Sequence, residues 1–483
     1  MKKLWETSPE LVVSGICPGL MPQQIPLWRD GRSVRFENAS ARSAPARSEL
    51  VLGGTLTGSP LDVAQSFTLA RKRLYIATTT GVFRYIGPQT EYEVASLLAT
   101  QPASGSFTQI LTQDQTDCLL VPWGDHIIST DGVNNVKLDE NTGSMSSLVP
   151  AVTGGNIDYA RVAWKYMSHF FLADTNLSGR RVYWSDLDNM DDAADWTPSL
   201  SSNAGSNPIR DFDSRIRAGV LLGPNCAIYS QDQMVQCRHV GGADVFAFSP
   251  ALTGIGALNP RSVISHNRLN WGLHRRGIFW TDGISFDYVD EPVIRSWLKA
   301  NVNWGLSNRI RGYHDEGAQM VCWTVSLLDG TWVTIGYGYK TRAFSIFNEG
   351  MRFGEEADVF DDCILGNEST VYIQGSGDTV ASYIETKPLD CGSREIEKTF
   401  QMIQFDLDVT GTVTIQLAFL DDSSETASYE QTYTNAGLDE GKLYIDNGNR
   451  VANNMQLKIS AAAGSSFRLG GFQIHGEAGG FSR

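Results

Sequence analysis

Three stretches of this sequence hold residue types that do chemistry in other proteins. The densest is Asp186-Leu187-Asp188-Asn189-Met190-Asp191-Asp192, followed by Asp195-Trp196, with carboxylates spaced much as in a calcium loop. Such a loop needs oxygen ligands at alternate positions and a glycine at its sharp turn. Here Met190 occupies the third ligand position and Asp191 the glycine position, so a solvated loop between strands is the better account. The second stretch, His314-Asp315-Glu316, has the composition of an acid–base pair. Neighbours on a strand point to opposite faces, however, which parts these side chains. The third, Gly354 to Asp362, holds five acids in nine residues (Glu355, Glu356, Asp358, Asp361 and Asp362) and reads either as an exposed loop or as the acidic lining of a channel. No serine lies in G-x-S-x-G, and neither H-E-x-x-H nor a P-loop occurs. The seven histidines are far apart in sequence, and most fall in or beside expected strands. Paired carboxylates for glycoside hydrolysis meet in space rather than in sequence, so spacing leaves that chemistry open. No residue is assigned a catalytic role, and no metal or cofactor is expected.

The elements that would position these residues repeat. A short apolar run, a Gly or Asp turn and a second aromatic or β-branched run recur with starts at 71, 117, 169, 218, 268, 320 and 363, about 49 residues apart on average. That interval accommodates four short strands and their turns, which is one blade of a β-propeller. A β-helix would need a period less than half as long. Two β-sandwiches are the competing architecture. Turns such as Trp280-Thr281-Asp282-Gly283 suit hairpin corners, because glycine takes the positive φ that they require. The expectation is an all-β protein with a propeller of six to seven blades over residues 51–391.

Near Glu395 the texture changes. Thr399 to Val409 and Val413 to Leu420 alternate apolar and polar residues, the mark of strands with one buried face. Residues 392–483 therefore read as a β-sandwich or jelly-roll domain, and residues 1–50 as an extended N-terminal arm. The chain is 483 residues long, with 54 acids against 39 bases and a formal charge of −15. Such a balance repels phosphate and disfavours a DNA-binding domain. The arm is net +2 and residues 392–483 net −5, so the acidity is concentrated in the middle region. No run of 18 apolar residues occurs, so no membrane-spanning helix is expected. Lys2 and Lys3 precede no apolar stretch, so no export signal is read. Seven scattered cysteines without a C-x-x-C read as reduced and buried.

Two stretches are similar to a known family. Met21-Pro22-Gln23-Gln24-Ile25-Pro26-Leu27-Trp28-Arg29-Asp30-Gly31-Arg32-Ser33-Val34-Arg35-Phe36 resembles the W-x-D-G-x-N-V-R-F opening of structural proteins from short-tailed bacteriophages, with Ser33 in place of the usual Asn. Arg181-Val182-Tyr183-Trp184-Ser185-Asp186, followed by Asp195-Trp196, resembles their R-V-x-W-S-D … W segment. The turn from Gly223 to Asp232, then Gly241-Gly242, Gly254-Ile255-Gly256 and Trp280-Thr281-Asp282-Gly283, follow in the family's order, over roughly residues 18–350. The family is that of tail nozzle or hub proteins, including the packaged-DNA stabilisation type.

The resemblance implies a non-enzymatic virion protein of the tail, made in the host cytoplasm. It implies a ring, typically a homohexamer, below the portal and adaptor, which holds packaged DNA and conducts it at ejection. Implied partners are further copies of the chain, the portal–adaptor protein, and tail fibre, spike or needle proteins, with genomic DNA passing through unbound. Trp28, Arg29, Arg32, Arg35 and Phe36 are then candidates for contact with a neighbouring subunit, or for packing on the chain's own propeller. The acids from Glu355 to Asp362 become candidates for a repelling channel wall. The competing reading is a carbohydrate-binding or glycoside-cleaving propeller at the host surface, and a third is a scaffold propeller that binds peptides.

Overall fold

A computed structural model describes residues 2–12, 14–17, 25–37, 39–44, 47–49, 60–67, 72–86, 106–112, 118–139, 145–242, 244–348, 350–357, 362–367, 370–374, 379–392, 396–421, 431–445 and 450–481. The protein is all-β and propeller-like. Seven antiparallel sheets of four strands or more follow one another among the described residues. They open with Pro60–Phe67, Leu119–Trp123, Ala160–Tyr166, Ala218–Leu222, Val263–His266, Arg311–Asp315 and Phe353–Ala357. Each of these first strands neighbours the next, and the last neighbours the first, so they line a closed ring.

Every one of the seven hairpins expected from the repeat lies in a different sheet. Lys72–Thr78 pairs with Gly81–Ile86 in the first, for instance, and Leu269–His274 with Gly277–Thr281 in the fifth. The strands are rich in aromatic and β-branched residues, which pack well on a pleated surface. Separate hydrophobic cores fill the spaces between successive sheets. Phe171, Trp184 and Phe246 lie between the third and fourth, and Trp271, Trp323 and Ile335 between the fifth and sixth. The ring closes where Val63, Ile76 and Phe83 of the first sheet meet Phe353 and Ile364 of the seventh. The seventh takes its fourth strand, Arg47–Glu49, from before the first sheet, with Ile373 opposite Ser48. Ends of the chain segment are thus laced together.

The remaining strands form two sheets packed face to face. One contains Lys2–Glu6, Val34–Glu37, Ser40–Ser43, Ile396–Thr410 and Ser466–Phe481; the other contains Trp28–Arg32, Ser382–Thr386, Val413–Leu420 and Asn454–Ala461. The alternation expected after Glu395 holds over the first half of Val413–Leu420: Val413, Ile415 and Leu417 are buried, while Thr414 and Gln416 between them are partly exposed; from Leu417 to Leu420 every residue is buried. Two expectations are corrected. The described part of residues 1–50 is not an extended arm, because it supplies strands to both sandwich sheets and one to the propeller-like ring. Ser382–Thr386, expected within the propeller, pairs instead with Asn454–Ala461 of the sandwich. The physical reason is length. Strands of four or five residues, interrupted by Gly31 and Ser33, are too short to show a period. The ring is therefore inserted between two halves of the sandwich.

Candidate functional site in the central channel

The closed ring of first strands encloses a channel that two cavities occupy. One, of about 270 Å3, lies at the N-terminal ends of these strands and is lined by residues including Thr130, Asp131, Arg161 and Arg311. The other, of about 330 Å3, lies farther along and is lined by Lys165, Val220, Ile264, His314 and Glu355 among others. Arg261 borders both.

A rigid turn fixes Arg261. The Asn259 side-chain oxygen accepts from the Arg261 amide at 2.7 Å, and Ser262 Oγ donates to the Asn259 carbonyl at 2.9 Å. Asn259 Nδ2 donates to the carbonyls of Ser307 (2.7 Å) and Ile310 (2.9 Å), tying this turn to the segment that leads into the sixth sheet. From there the guanidinium reaches the first sheet. Its Nε donates to Asp62 Oδ1 at 2.8 Å and its Nη2 to Asp62 Oδ2 at 2.9 Å, a two-pronged pair, and Nη2 also donates to the Leu120 carbonyl at 2.9 Å. Asp62 itself accepts from the Leu120 amide at 2.7 Å. Arg311 adds a second crossing, from its Nε to the Leu61 carbonyl. Burial works against the charge on Arg261, but the Asp62 carboxylate, with Glu355 beyond it, outweighs burial and raises its pKa. The channel is thus braced across its width by a pair that joins the first sheet to the turn before the fifth.

The residues singled out from sequence fall in four places. Trp28 and Phe36 lie in the sandwich core, 0% and 4% exposed, with the Trp28 indole donating to the Val12 carbonyl at 2.8 Å. Arg32 pairs with Asp30, and Arg35 with Glu37 at 3.4 Å, while Arg29 is half-buried. Reading Trp28 and Phe36 as surface anchors is corrected: their large apolar areas are already buried within this chain. Glu355 lies on the strand Phe353–Ala357 and faces the channel. Glu356 and Asp362 stand on paired strands, opposite Cys363 and Ala357, and Asp358 and Asp361 lie outside the described residues. Among the described residues, the wall around Glu355 is not acidic overall. Arg161, Lys165, Arg261 and Arg311 border the two cavities, against Asp131 and Glu355.

The Asp-rich loop is built as a closed turn. Asp195 takes the Asn189 side chain at 2.8 Å and the Asp192 amide at 2.7 Å, and Asp186 takes the amides of Leu187 and Asn203. Asp191 pairs with Lys137 at 2.9 Å, and Trp196 is buried beneath. Among the described residues no cluster of three His, Cys, Asp or Glu could hold a metal ion. His314 stacks on His266 with ring centroids 3.7 Å apart, and its Nε2 lies 3.2 Å from the Tyr339 hydroxyl. Burial, with His314 alongside, lowers the pKa of His266. Sequence reasoning missed Arg261, Asp62 and this stack. Their partners are remote in the chain, and no spacing signals them.

No protein-family profile matches the chain, and no curated protein is similar to it. Among solved structures it is similar to the extracellular domain assigned to the one-component system BT4673 of B. thetaiotaomicron, at 10% identity and a TM-score of 0.42, covering 88% of this chain and 57% of that one. A chain of a mitotic checkpoint complex is similar at 7% identity and a TM-score of 0.40, covering 69% and 98%. U3-55K is similar at 9% identity and 0.39, covering 68% and 99%. The chain therefore spans little more than half the length of the bacterial domain.

Proposed function

We propose that this chain is a structural subunit of a short virion tail, of the nozzle or hub type. It would assemble as a ring of identical copies, a hexamer, below a portal and adaptor, holding packaged DNA and conducting it at ejection. In this reading the seven sheets are the seven blades of a propeller, and the sandwich is the mounting block that its two chain halves complete.

The observation that carries the proposal is the position of the residues resembling that family. The segment from Trp28 to Phe36 is the joint between sandwich and ring. The Ser33 amide donates to the Ile346 carbonyl of the sixth sheet at 2.8 Å, and the Ile16 amide donates to the Phe344 carbonyl at 3.0 Å. Gly31 sits close against its neighbours: a Cβ there would stand 3.0 Å from the Tyr383 carbonyl oxygen, so a side chain would require that backbone to give way. Ser33 sits at φ 53°, a left-handed conformation that Asn tolerates better than most residues, which gives a physical sense to the family's usual Asn. In the second segment, the Trp184 indole donates to the Asn203 carbonyl at 2.8 Å and Trp196 is buried. Motif residues that serve joints and turns fit a structural part better than a reacting one. Among the described residues no helix is long and apolar enough to cross a membrane.

The experiment is assembly of tailed particles with and without this chain. Particles lacking it are expected to package DNA and then lose it, and addition of the purified protein should restore retention. Particles that keep their DNA without the chain would overturn the reading. So would hydrolysis of a host-surface glycan by the purified protein.

A further inference from the structure

The chain as a whole is strongly acidic, yet among the described residues Arg161, Lys165, Arg261 and Arg311 border the two channel cavities against Asp131 and Glu355, with Asp62 paired to Arg261. We propose that the cavity at the N-terminal ends of the first strands is a binding site for a small free oxyanion, a phosphate or carboxylate group, held between Arg161 and Arg261.

Two guanidinium groups carry the inference. Four hydrogen bonds from Nε and Nη2, to Asp62 and to the carbonyls of Leu120 and Val63, lock that of Arg261, and its Nη1 makes none among the described residues. A donor whose position is already fixed binds without the entropy cost of ordering a free side chain. The Arg161 side chain is 47% exposed, and its nearest carboxylate, Asp174, stands 3.8 Å away, beyond hydrogen-bonding distance. Asp174 is itself engaged by Arg215 at 3.0 Å. The Arg161 stem lies along Gly132, where a Cβ would come within 3.0 Å of its Cγ, so the glycine gives the side chain its path across the cavity wall. Planar guanidinium forks match the paired oxygens of phosphate and carboxylate better than a lysine does. The cavity, about 270 Å3, has room for such a group.

Titration calorimetry on the full chain at low ionic strength, with inorganic phosphate in one arm and succinate in the other, tests this. Millimolar or tighter binding of at least one ligand is expected, weakened roughly tenfold or more in R161Q, in line with loss of a charge-assisted hydrogen bond. K165Q removes a charge beyond Arg261 and should bind as the parent does. Unchanged melting temperatures would show that the variants fold. No binding of either ligand overturns the proposal, as does equal binding by R161Q or an equal loss in K165Q, which would report the general field of the channel rather than this site.

Discussion

At the residue scale, the Asp62–Arg261 pair concentrates the most consequence in the fewest atoms. Asp62 is 3% exposed, and its carboxylate serves both the Arg261 fork and the Leu120 amide. Breaking a buried, hydrogen-bonded pair from one side leaves the other charge without compensation. Because part of the Arg261 side chain reaches the cavity, Asp62→Asn should cost about 2–4 kcal/mol, toward the lower end for buried pairs. Urea unfolding would measure it, and a change near zero would mean that the brace is not structural. Nothing in the sequence joins these residues, which stand 199 positions apart. The Asp-Gly corners were legible, because their partners are local. Asp282 takes the amides of Ile284 (2.8 Å) and Ser285 (2.7 Å), and Gly283 has a φ of 92°.

Histidine 169 gives the pH dependence at this scale. It is 1% exposed, with Nδ1 2.7 Å from the Ser185 carbonyl, and burial lowers its pKa below 6.5. The unfolded chain therefore takes up a proton at a pH where the folded one does not, and stability rises with pH in that window. The contribution is complete above about pH 6.5 and is lost as pH falls from there toward the folded pKa. Melting temperature followed from neutral pH to pH 5 should fall less steeply for His169→Gln than for the parent. Parallel curves would remove His169 as the cause.

At the scale of elements, the hairpins were readable because each holds its own period and its own turn. Their assignment to separate sheets followed from a spacing of about 49 residues. The sandwich was readable only from one end. Ile396–Thr410 and Val413–Leu420 are long enough to alternate visibly, whereas Trp28–Arg32 and Val34–Glu37 are recognised as sandwich strands only once Tyr383 and Ser43 stand opposite them. Trp28 is the element-scale test. It is fully buried, packs near Phe472 with ring centroids 6.5 Å apart and hydrogen-bonds the Val12 carbonyl. Trp28→Ala should cost about 3–5 kcal/mol, as large-to-small changes in a core do. Limited proteolysis should then cut the sandwich before the ring. Simultaneous cutting of both would mean that the two modules unfold as one unit.

At the scale of the whole molecule, the chain passes from the sandwich into the ring and returns to complete the sandwich. Both closures, Arg47–Glu49 in the seventh sheet and Lys2–Glu6 on Ser466–Phe481, join residues far apart in sequence. Such lacing resists peeling from either end of the described fold, a property suited to a part under load. Residues 1–36 consequently cannot be removed as a free arm. Their deletion takes away the strands Lys2–Glu6 and Trp28–Arg32 and most of Val34–Glu37, and would report on folding before it reported on assembly.

The central claim, that this block is one copy in a tail ring, is tested most directly by the mass of the particle in solution. Mass photometry of the intact chain, alone and with a candidate portal–adaptor protein, should show a six-fold assembly in at least one condition, with a central hole in negative stain. A monomer in both conditions would contradict the account.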